Sequence, residues 1–150
     1  MPQAPCNPAP HIVNGTNPVV AHDFCGGSVS GKDVIVVDDM IASGGSILDT
    51  ARQLKEMGAR RVFLFSTFGL FTGGLEKVDR AFSDGWFDRI FTTNLIYQTP
   101  ELLSREYYYS VHMDRYIAAL IDTLNKGETI QELIKPANRI HRALALYRNT

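Results

Sequence analysis

Apolar residues recur along the chain with two spacings, and the alternation of these spacings predicts strands followed by helices. Residues 34–37 form a continuous β-branched run, which is typical of a strand buried on both faces of a parallel sheet. After a short polar loop, Ile47, Ala51 and Leu54 recur at helical spacing. We expect a helix there that ends at Gly58, because glycine commonly terminates helices.

The same cycle of strand, loop and helix repeats down the chain. Strands that alternate with helices are typical of right-handed βαβ crossovers. We therefore predict an α/β fold with an open, mostly parallel sheet and flanking helices. The remaining predicted elements are a short strand at 19–22, strands at 61–68, 88–94 and 107–113, a helix marked by Leu75, Val78 and Phe82, and a helix marked by Ile117, Leu120, Ile121 and Leu124.

The chain of 150 residues predicts one domain between two terminal segments. Four prolines in the first ten residues disfavour regular structure, so we predict a flexible lead-in over 1–17 and a domain over 18–135. Residues 136–150 predict a basic helical tail with Ile140, Leu144 and Tyr147 on one face. We expect this tail to pack on its own domain, although such helices also bind membrane surfaces or partner grooves.

Composition and charge narrow the class of protein. Hydrophobic residues make up 45% and charged residues 21%, and 15 Lys and Arg against 16 Asp and Glu give a net charge of -1. Nucleic acid is therefore not expected as a partner. Cys6 and Cys25 have no metal-site spacing, and no apolar run approaches the ~20 residues that span a membrane. With no secretory signal in the sequence, we expect a cytoplasmic location.

The chemistry is concentrated after the first strong strand, where Asp38 and Asp39 are followed by Ser43, Gly44, Gly45 and Ser46. Ligands of parallel sheets collect at the carboxyl ends of strands. Glycines allow close approach of the backbone, and the N-terminus of the following helix favours an anion. We expect the Ser-Gly-Gly-Ser loop to bind a phosphate.

Paired aspartates beside a phosphate loop suit a ligand that also carries hydroxyl groups or a divalent cation. A sugar phosphate has these features, and we expect one or both aspartates to accept hydrogen bonds from ribose hydroxyls; the alternative is that Asp38 and Asp39 only cap the turn. Residues 26–32 spell G-x-x-x-x-G-K but Asp33 follows, so this segment is not a nucleotide P-loop. The four histidines show no metal or catalytic spacing.

The segment VIVVDDMIASGGS resembles the phosphoribosyl-binding signature of type I phosphoribosyltransferases and ribose-phosphate diphosphokinases, also called PRPP synthetases. GKDVIVVDDMI, TFGLFTGG and TTNLIYQTPELLS are similar in order and spacing to the C-terminal half of the latter, in a divergent bacterial form. The resemblance implies transfer of diphosphate from Mg-ATP to ribose 5-phosphate, which makes PRPP for nucleotide biosynthesis.

Carried over by position, Asp38 and Asp39 would hold the ribose hydroxyls and help organise Mg²⁺. Ser43, Gly44, Gly45 and Ser46 would bind the 5-phosphate. Ala42 stands where the family often has Asp or Thr, and Phe68 stands where it usually has His. The family's proteins have two such domains in tandem, so the resemblance implies that this chain is inactive without an N-terminal half.

Two other functions stay open from the sequence. A phosphoribosyltransferase would use PRPP as substrate, but residues before Pro18 are too few and too rich in proline to build a hood over a base. A non-catalytic module would associate with complete enzyme subunits. A sheet lacking its first strand leaves an open edge and face, so we expect a homo-oligomer or a complex with the companion N-terminal domain.

Overall fold

The computed structural model describes residues 27–148, which fall into two compact units. The first unit covers described residues 27–111 and the second covers 112–148. The predicted lead-in and the predicted strand at 19–22 lie outside the described residues. The domain limits proposed from the sequence stay a prediction.

The first unit is a parallel sheet of four strands that lie side by side in chain order. The predicted α/β fold with an open parallel sheet and flanking helices is confirmed. Its elements are β1 (Asp33–Ile41), α1 (Gly45–Glu56), β2 (Arg61–Gly69), α2 (Glu76–Ser83), β3 (Arg89–Thr93), α3 (Pro100–Leu103) and β4 (Tyr108–Val111).

The core lies between the helices and one face of this sheet. Val62, Leu64 and Ile90 are at most 1% exposed on that face. The predicted stripe of α1 and the predicted helix α2 are confirmed, because each contributes buried apolar side chains to the same cluster. This packing fixes the loops that follow the strands at the carboxyl edge of the sheet.

The expectation that residues 34–37 are buried on both faces is wrong. Val34 and Val36 are half-buried, but Ile35 is 64% exposed and Val37 is 77% exposed. The strand order gives the reason: right-handed crossovers that all advance in one direction place their helices on the same face. The other face of β1 therefore has no helix over it within the described part of this unit.

The second unit consists of α4 (Asp114–Asn125), α5 (Gln131–Ile134) and α6 (Ala137–Arg148). The helices predicted around Ile117 and after Pro136 are confirmed. None of the α4 residues is buried, and in α6 Ile140 and Leu144 are 52% and 46% exposed. Across residues 27–148, no helix combines the length and apolarity needed to cross a membrane.

A polar network joins α2 to the segment between α3 and β4. Asp79 accepts a hydrogen bond from the Tyr107 hydroxyl at 2.7 Å and two from the Arg105 guanidinium at 3.0 and 2.9 Å. Burial raises the pKa of Asp79, but these hydrogen bonds outweigh burial and hold it below its ordinary value. The network therefore stabilises the fold only while Asp79 is ionised.

This network predicts a specific loss of stability in acid. Because the folded-state pKa of Asp79 is lowered, its contribution is complete above the unfolded-state value of about 3.9 and is lost as the pH falls below it. In urea unfolding, the free-energy difference between the wild type and Asp79→Asn should shrink from pH 7 to pH 3. The exposed Asp84→Asn variant is the control, and an Asp79→Asn difference that does not depend on pH would contradict the assignment.

Candidate functional site

A small cavity of about 110 Å³ lies where β1 passes into α1. Its lining consists of Asp38 and all residues from 40 to 47. The structure thus brings Asp38 together with Ser43, Gly44, Gly45 and Ser46, as the sequence suggested.

Asp38 and Asp39 do not share this cavity. Both lie within β1, which continues to Ile41, so their side chains alternate between the two faces of the strand. Asp38 is half-buried, and its Oδ1 accepts a hydrogen bond from the Asp39 backbone N–H at 2.8 Å. Asp39 is exposed and is not part of the lining. Asp38 is therefore the carboxylate placed beside the glycine loop.

The N-terminus of α1 opens into the same cavity without a capping side chain. Gly44 is the N-cap residue with a φ of 84°, a left-handed conformation that favours glycine, and no side chain caps the helix. The first turn contains no acidic residue. Helix N-terminal amides that lack an intrahelical partner bind anions readily.

The electrostatics of the cavity depend on the backbone and not on basic side chains. Within the described residues its lining contains no lysine or arginine. Ser43 and Ser46 are exposed, and their hydroxyls can donate hydrogen bonds. A phosphate here would be held by backbone amides, hydroxyl groups and the helix dipole.

The segment between β2 and α2, for which the sequence pattern indicated no role, supports the cavity. The backbone N–H groups of Leu70 and Phe71 donate to the Ile41 carbonyl at 2.9 and 3.3 Å, and Thr72 donates to Ala42 at 2.9 Å. A Cβ at Gly73 would lie 3.7 Å from the Ser43 Cβ. The paired glycines 73 and 74, which follow the end of β2 by four and five residues, are the sequence feature that could have indicated a close approach.

Phe71 anchors this supporting segment in an unusual conformation. Its φ is 47°, which is rare for a residue with a side chain. The ring is only 8% exposed and meets Tyr108 edge to face at 6.2 Å between centroids. At Gly69 a Cβ would lie 2.7 Å from the Phe71 ring, so only glycine fits beneath it.

A second cleft of about 200 Å³ lies between the β2–α2 segment and the residues that follow β3. Tyr97, Thr99 and Glu101 line one side. The loop is held by Gln98, whose Nε2 donates to the Tyr108 hydroxyl at 2.8 Å and whose Oε1 accepts from Ser110 at 2.6 Å. Half-buried polar contacts therefore hold the wall of this cleft, and backbone hydrogen bonds hold the wall of the first cavity.

The described residues contain no cluster of three or more potential metal ligands. Asp38 and Asp39 supply two carboxylates on adjacent positions of one strand. Mg²⁺ is commonly held by one or two carboxylates together with water and substrate phosphate oxygens. Asp38, which lines the cavity, fits such a shared site, whereas Asp39 lies on the other face of β1.

Comparisons with known proteins agree with this architecture. The chain is 33% identical over 107 residues to a ribose-phosphate pyrophosphokinase of Shewanella oneidensis, a match covering 71% of this chain and 33% of that protein. A protein of the same name from Mycoplasma pneumoniae is 39% identical over 74 residues, covering 49% of this chain and 23% of the relative. The chain spans about a third of the length of such relatives.

The fold is similar to that of phosphoribosylpyrophosphate synthetase from Mycobacterium smegmatis. The TM-score is 0.59 at 24% identity, and the superposition covers 67% of this chain and 33% of that one. The family model for the phosphoribosyl synthetase-associated domain matches residues 6–135. The resemblance noted in the sequence is thereby confirmed, and the chain belongs to the phosphoribosyl synthetase-associated domain family.

Proposed function

We propose that this chain is the ribose 5-phosphate-binding part of a ribose-phosphate diphosphokinase. The observation that carries the proposal is the uncapped N-terminus of α1, which opens into a cavity that also contains the Asp38 carboxylate. Amides at one end and an acceptor for hydroxyl groups at the other match a phosphorylated pentose. The names of the relatives support the same reaction class.

In this proposal the 5-phosphate lies against residues 43–46, where backbone amides and two serine hydroxyls donate hydrogen bonds. Asp38 accepts hydrogen bonds from the ribose hydroxyls. Its orientation is already set by the Asp39 N–H, so binding requires little rearrangement of the carboxylate.

The reaction joins the anomeric oxygen of ribose 5-phosphate to the β-phosphorus of ATP. The bond between that phosphorus and the oxygen bridging to the α-phosphate breaks, and AMP leaves while the anomeric hydroxyl loses its proton. Such transfer depends on alignment and charge neutralisation. Residues 43–46 fix the sugar at its phosphate end, and Asp38 fixes its hydroxyl face.

The proposal includes a Mg²⁺ ion that is shared between the chain and its substrates. Asp38 would contribute a carboxylate oxygen, and the substrates would supply phosphate and hydroxyl oxygens. Mg²⁺ would neutralise charge on the diphosphoryl group being transferred. Asp39 is exposed on the other face of β1, away from the ion that Asp38 would help to hold.

Binding of ATP requires more residues than those that line this cavity. The lining, as the described residues define it, has no cationic side chain to clamp a triphosphate, and the chain spans about a third of its relatives. We therefore propose that the chain acts together with an N-terminal portion of the kind those relatives contain. A non-catalytic module that binds complete subunits is the second candidate, and Ala42 in the glycine loop favours it.

Calorimetry with ribose 5-phosphate tests the binding part of the proposal. We expect the chain to bind ribose 5-phosphate and to bind unphosphorylated ribose far more weakly. Asp38→Asn should lower the affinity by about tenfold or more because it removes a charged acceptor, and Asp39→Ala should have a much smaller effect because Asp39 does not line the cavity. Asp84→Asn, a change far along the sequence at the end of α2, should leave the affinity unchanged. Equal affinity for ribose and its phosphate would contradict the site.

AMP release from Mg-ATP tests the catalytic part. The chain is assayed with ribose 5-phosphate, alone and mixed with the N-terminal portion of the Shewanella oneidensis relative. We expect AMP only in the mixture. Binding of ribose 5-phosphate with no AMP in either case would favour the non-catalytic module, and consumption of PRPP that requires a nucleobase would favour a phosphoribosyltransferase.

A further inference from the structure

The segment that contains the last helix, α6, carries charge of one sign. Residues 135–150 contain no aspartate or glutamate, and four of them are basic: Lys135, Arg139, Arg142 and Arg148. Residues 1–134, in contrast, contain 11 Lys and Arg against 16 Asp and Glu. The chain therefore has its excess of positive charge in this segment alone. Such asymmetry is typical of chains that bind an anionic surface or polymer.

The apolar residues of α6 are exposed along one side of the helix. Ile140 and Leu144 are one helical turn apart and are 52% and 46% exposed, and Tyr147 is 81% exposed. Residues spaced by three or four positions share a face of a helix. The helix is therefore amphipathic, and these apolar side chains are not buried within the second unit.

α6 lies after the residues that the family model matches. The match covers residues 6–135, and α6 spans Ala137–Arg148. The sheet and the cavity beside the glycine loop both lie within the matched part. The proposed reaction therefore accounts for neither the exposed apolar side of α6 nor the positive charge of its segment.

The combination of charge and apolar surface favours a lipid surface as the ligand. A nucleic acid backbone offers uniform negative charge but no apolar layer for Ile140 and Leu144 to enter. A soluble protein groove recognises a helix through pockets for its anchor side chains, which does not require charge of a single sign. A membrane with anionic lipids offers uniform negative charge with apolar chains just below it. Tyrosine, as at position 147, is enriched at that boundary.

The carboxylates in the rest of the chain do not prevent such binding. Electrostatic interactions between exposed charges fall off over about 8 Å at physiological ionic strength. Basic residues in contact with an anionic bilayer lie within this distance of the headgroups, and each raises the affinity by roughly fivefold. Carboxylates that lie farther from the bilayer are largely screened. The charge of the contacting helix therefore decides the sign of the interaction.

We propose that α6 binds peripherally to membranes that contain anionic lipids. Its 12 residues are about 18 Å long, shorter than the roughly 30 Å of a hydrocarbon core, so the helix lies in the plane of the interface. Ile140 and Leu144 enter the boundary between headgroups and acyl chains, and the basic residues of the segment meet the anionic headgroups. The inference goes beyond the proposed function and does not depend on it.

Vesicle sedimentation with the full chain tests the contribution of charge. The chain should bind vesicles made of equal parts of phosphatidylcholine and phosphatidylserine, and should bind pure phosphatidylcholine vesicles about tenfold more weakly. Arg139→Glu/Arg142→Glu should weaken binding to the anionic vesicles by about tenfold or more, and high salt should also weaken it. The matched control is Lys77→Glu/Arg80→Glu, the same change at the same spacing on exposed residues of α2, which should bind like the wild type.

A second pair of variants tests the apolar side of α6. Ile140→Ser/Leu144→Ser should weaken binding to the anionic vesicles by about tenfold or more, because two apolar side chains no longer enter the interface. Its control is Ile121→Ser/Leu124→Ser, which changes a pair that is 53% and 59% exposed on α4 and should bind like the wild type. Circular dichroism should show that all four variants keep their fold.

Hydrogen exchange locates the contact, and amide exchange within 137–148 should slow in the presence of anionic vesicles. No sedimentation overturns the inference, as does an equal loss of binding in either control. Loss with the arginine variant but not with Ile140→Ser/Leu144→Ser, or tighter binding to single-stranded RNA than to the vesicles, would indicate charge attraction alone and overturn it. Self-association in light scattering that only Ile140→Ser/Leu144→Ser abolishes would identify a second copy as the partner and overturn it too. Affinity for ribose 5-phosphate should be the same in both α6 variants and the wild type, which keeps this result separate from the proposed function.

Discussion

Three backbone hydrogen bonds between neighbouring loops determine the shape of the candidate site. Leu70, Phe71 and Thr72 donate to the carbonyls of Ile41 and Ala42, so the segment after β2 braces the loop after β1. Each such bond contributes only about 1 kcal/mol net, but together they fix where the glycine loop turns. The uncapped end of α1 and the position of Asp38 both follow from that turn.

This bracing explains how the proposed anion site could work without a basic side chain. The carbonyls of residues 41 and 42 already accept hydrogen bonds from amides of the neighbouring segment. The donor groups at the start of α1 are left facing the cavity. An anion then meets oriented dipoles that are already in place, and little reorganisation accompanies its arrival.

Much of the fold could be predicted from the sequence because its determinants are local. The spacing of Ile47, Ala51 and Leu54 identified α1, and the β-branched run 34–37 identified β1. The missing first strand predicted an open face, but the apolar run itself did not show that Ile35 and Val37 lie on it, because such a run does not reveal which neighbouring elements are present. The short α3 was missed although Thr99 and Pro100 carry a helix-start pattern, since four residues show no periodicity.

The candidate site could be predicted only where its residues lie close together in the sequence. The glycine loop and Asp38 lie on adjacent stretches of chain, so their proximity follows from one strand, turn and helix. The bracing by residues 70–72 depends on contacts between loops about 30 residues apart in sequence, and one sequence does not reveal which amide meets which carbonyl. The division of Asp38 and Asp39 between two faces depended on β1 continuing to Ile41, which its hydrophobic pattern did not reveal.

The conformation of Phe71 has a consequence for how this site can change over evolutionary time. A left-handed backbone costs roughly 1 kcal/mol or more for a residue with a side chain, and glycine would relieve it but would remove the ring buried against Tyr108. A β-branched residue would not reduce the cost of this backbone conformation, and its smaller side chain would pack less well against Tyr108. The geometry of the glycine loop thus depends on an aromatic ring outside the cavity lining, so a substitution at position 71 would alter the candidate site while every residue of the proposed chemistry stayed the same.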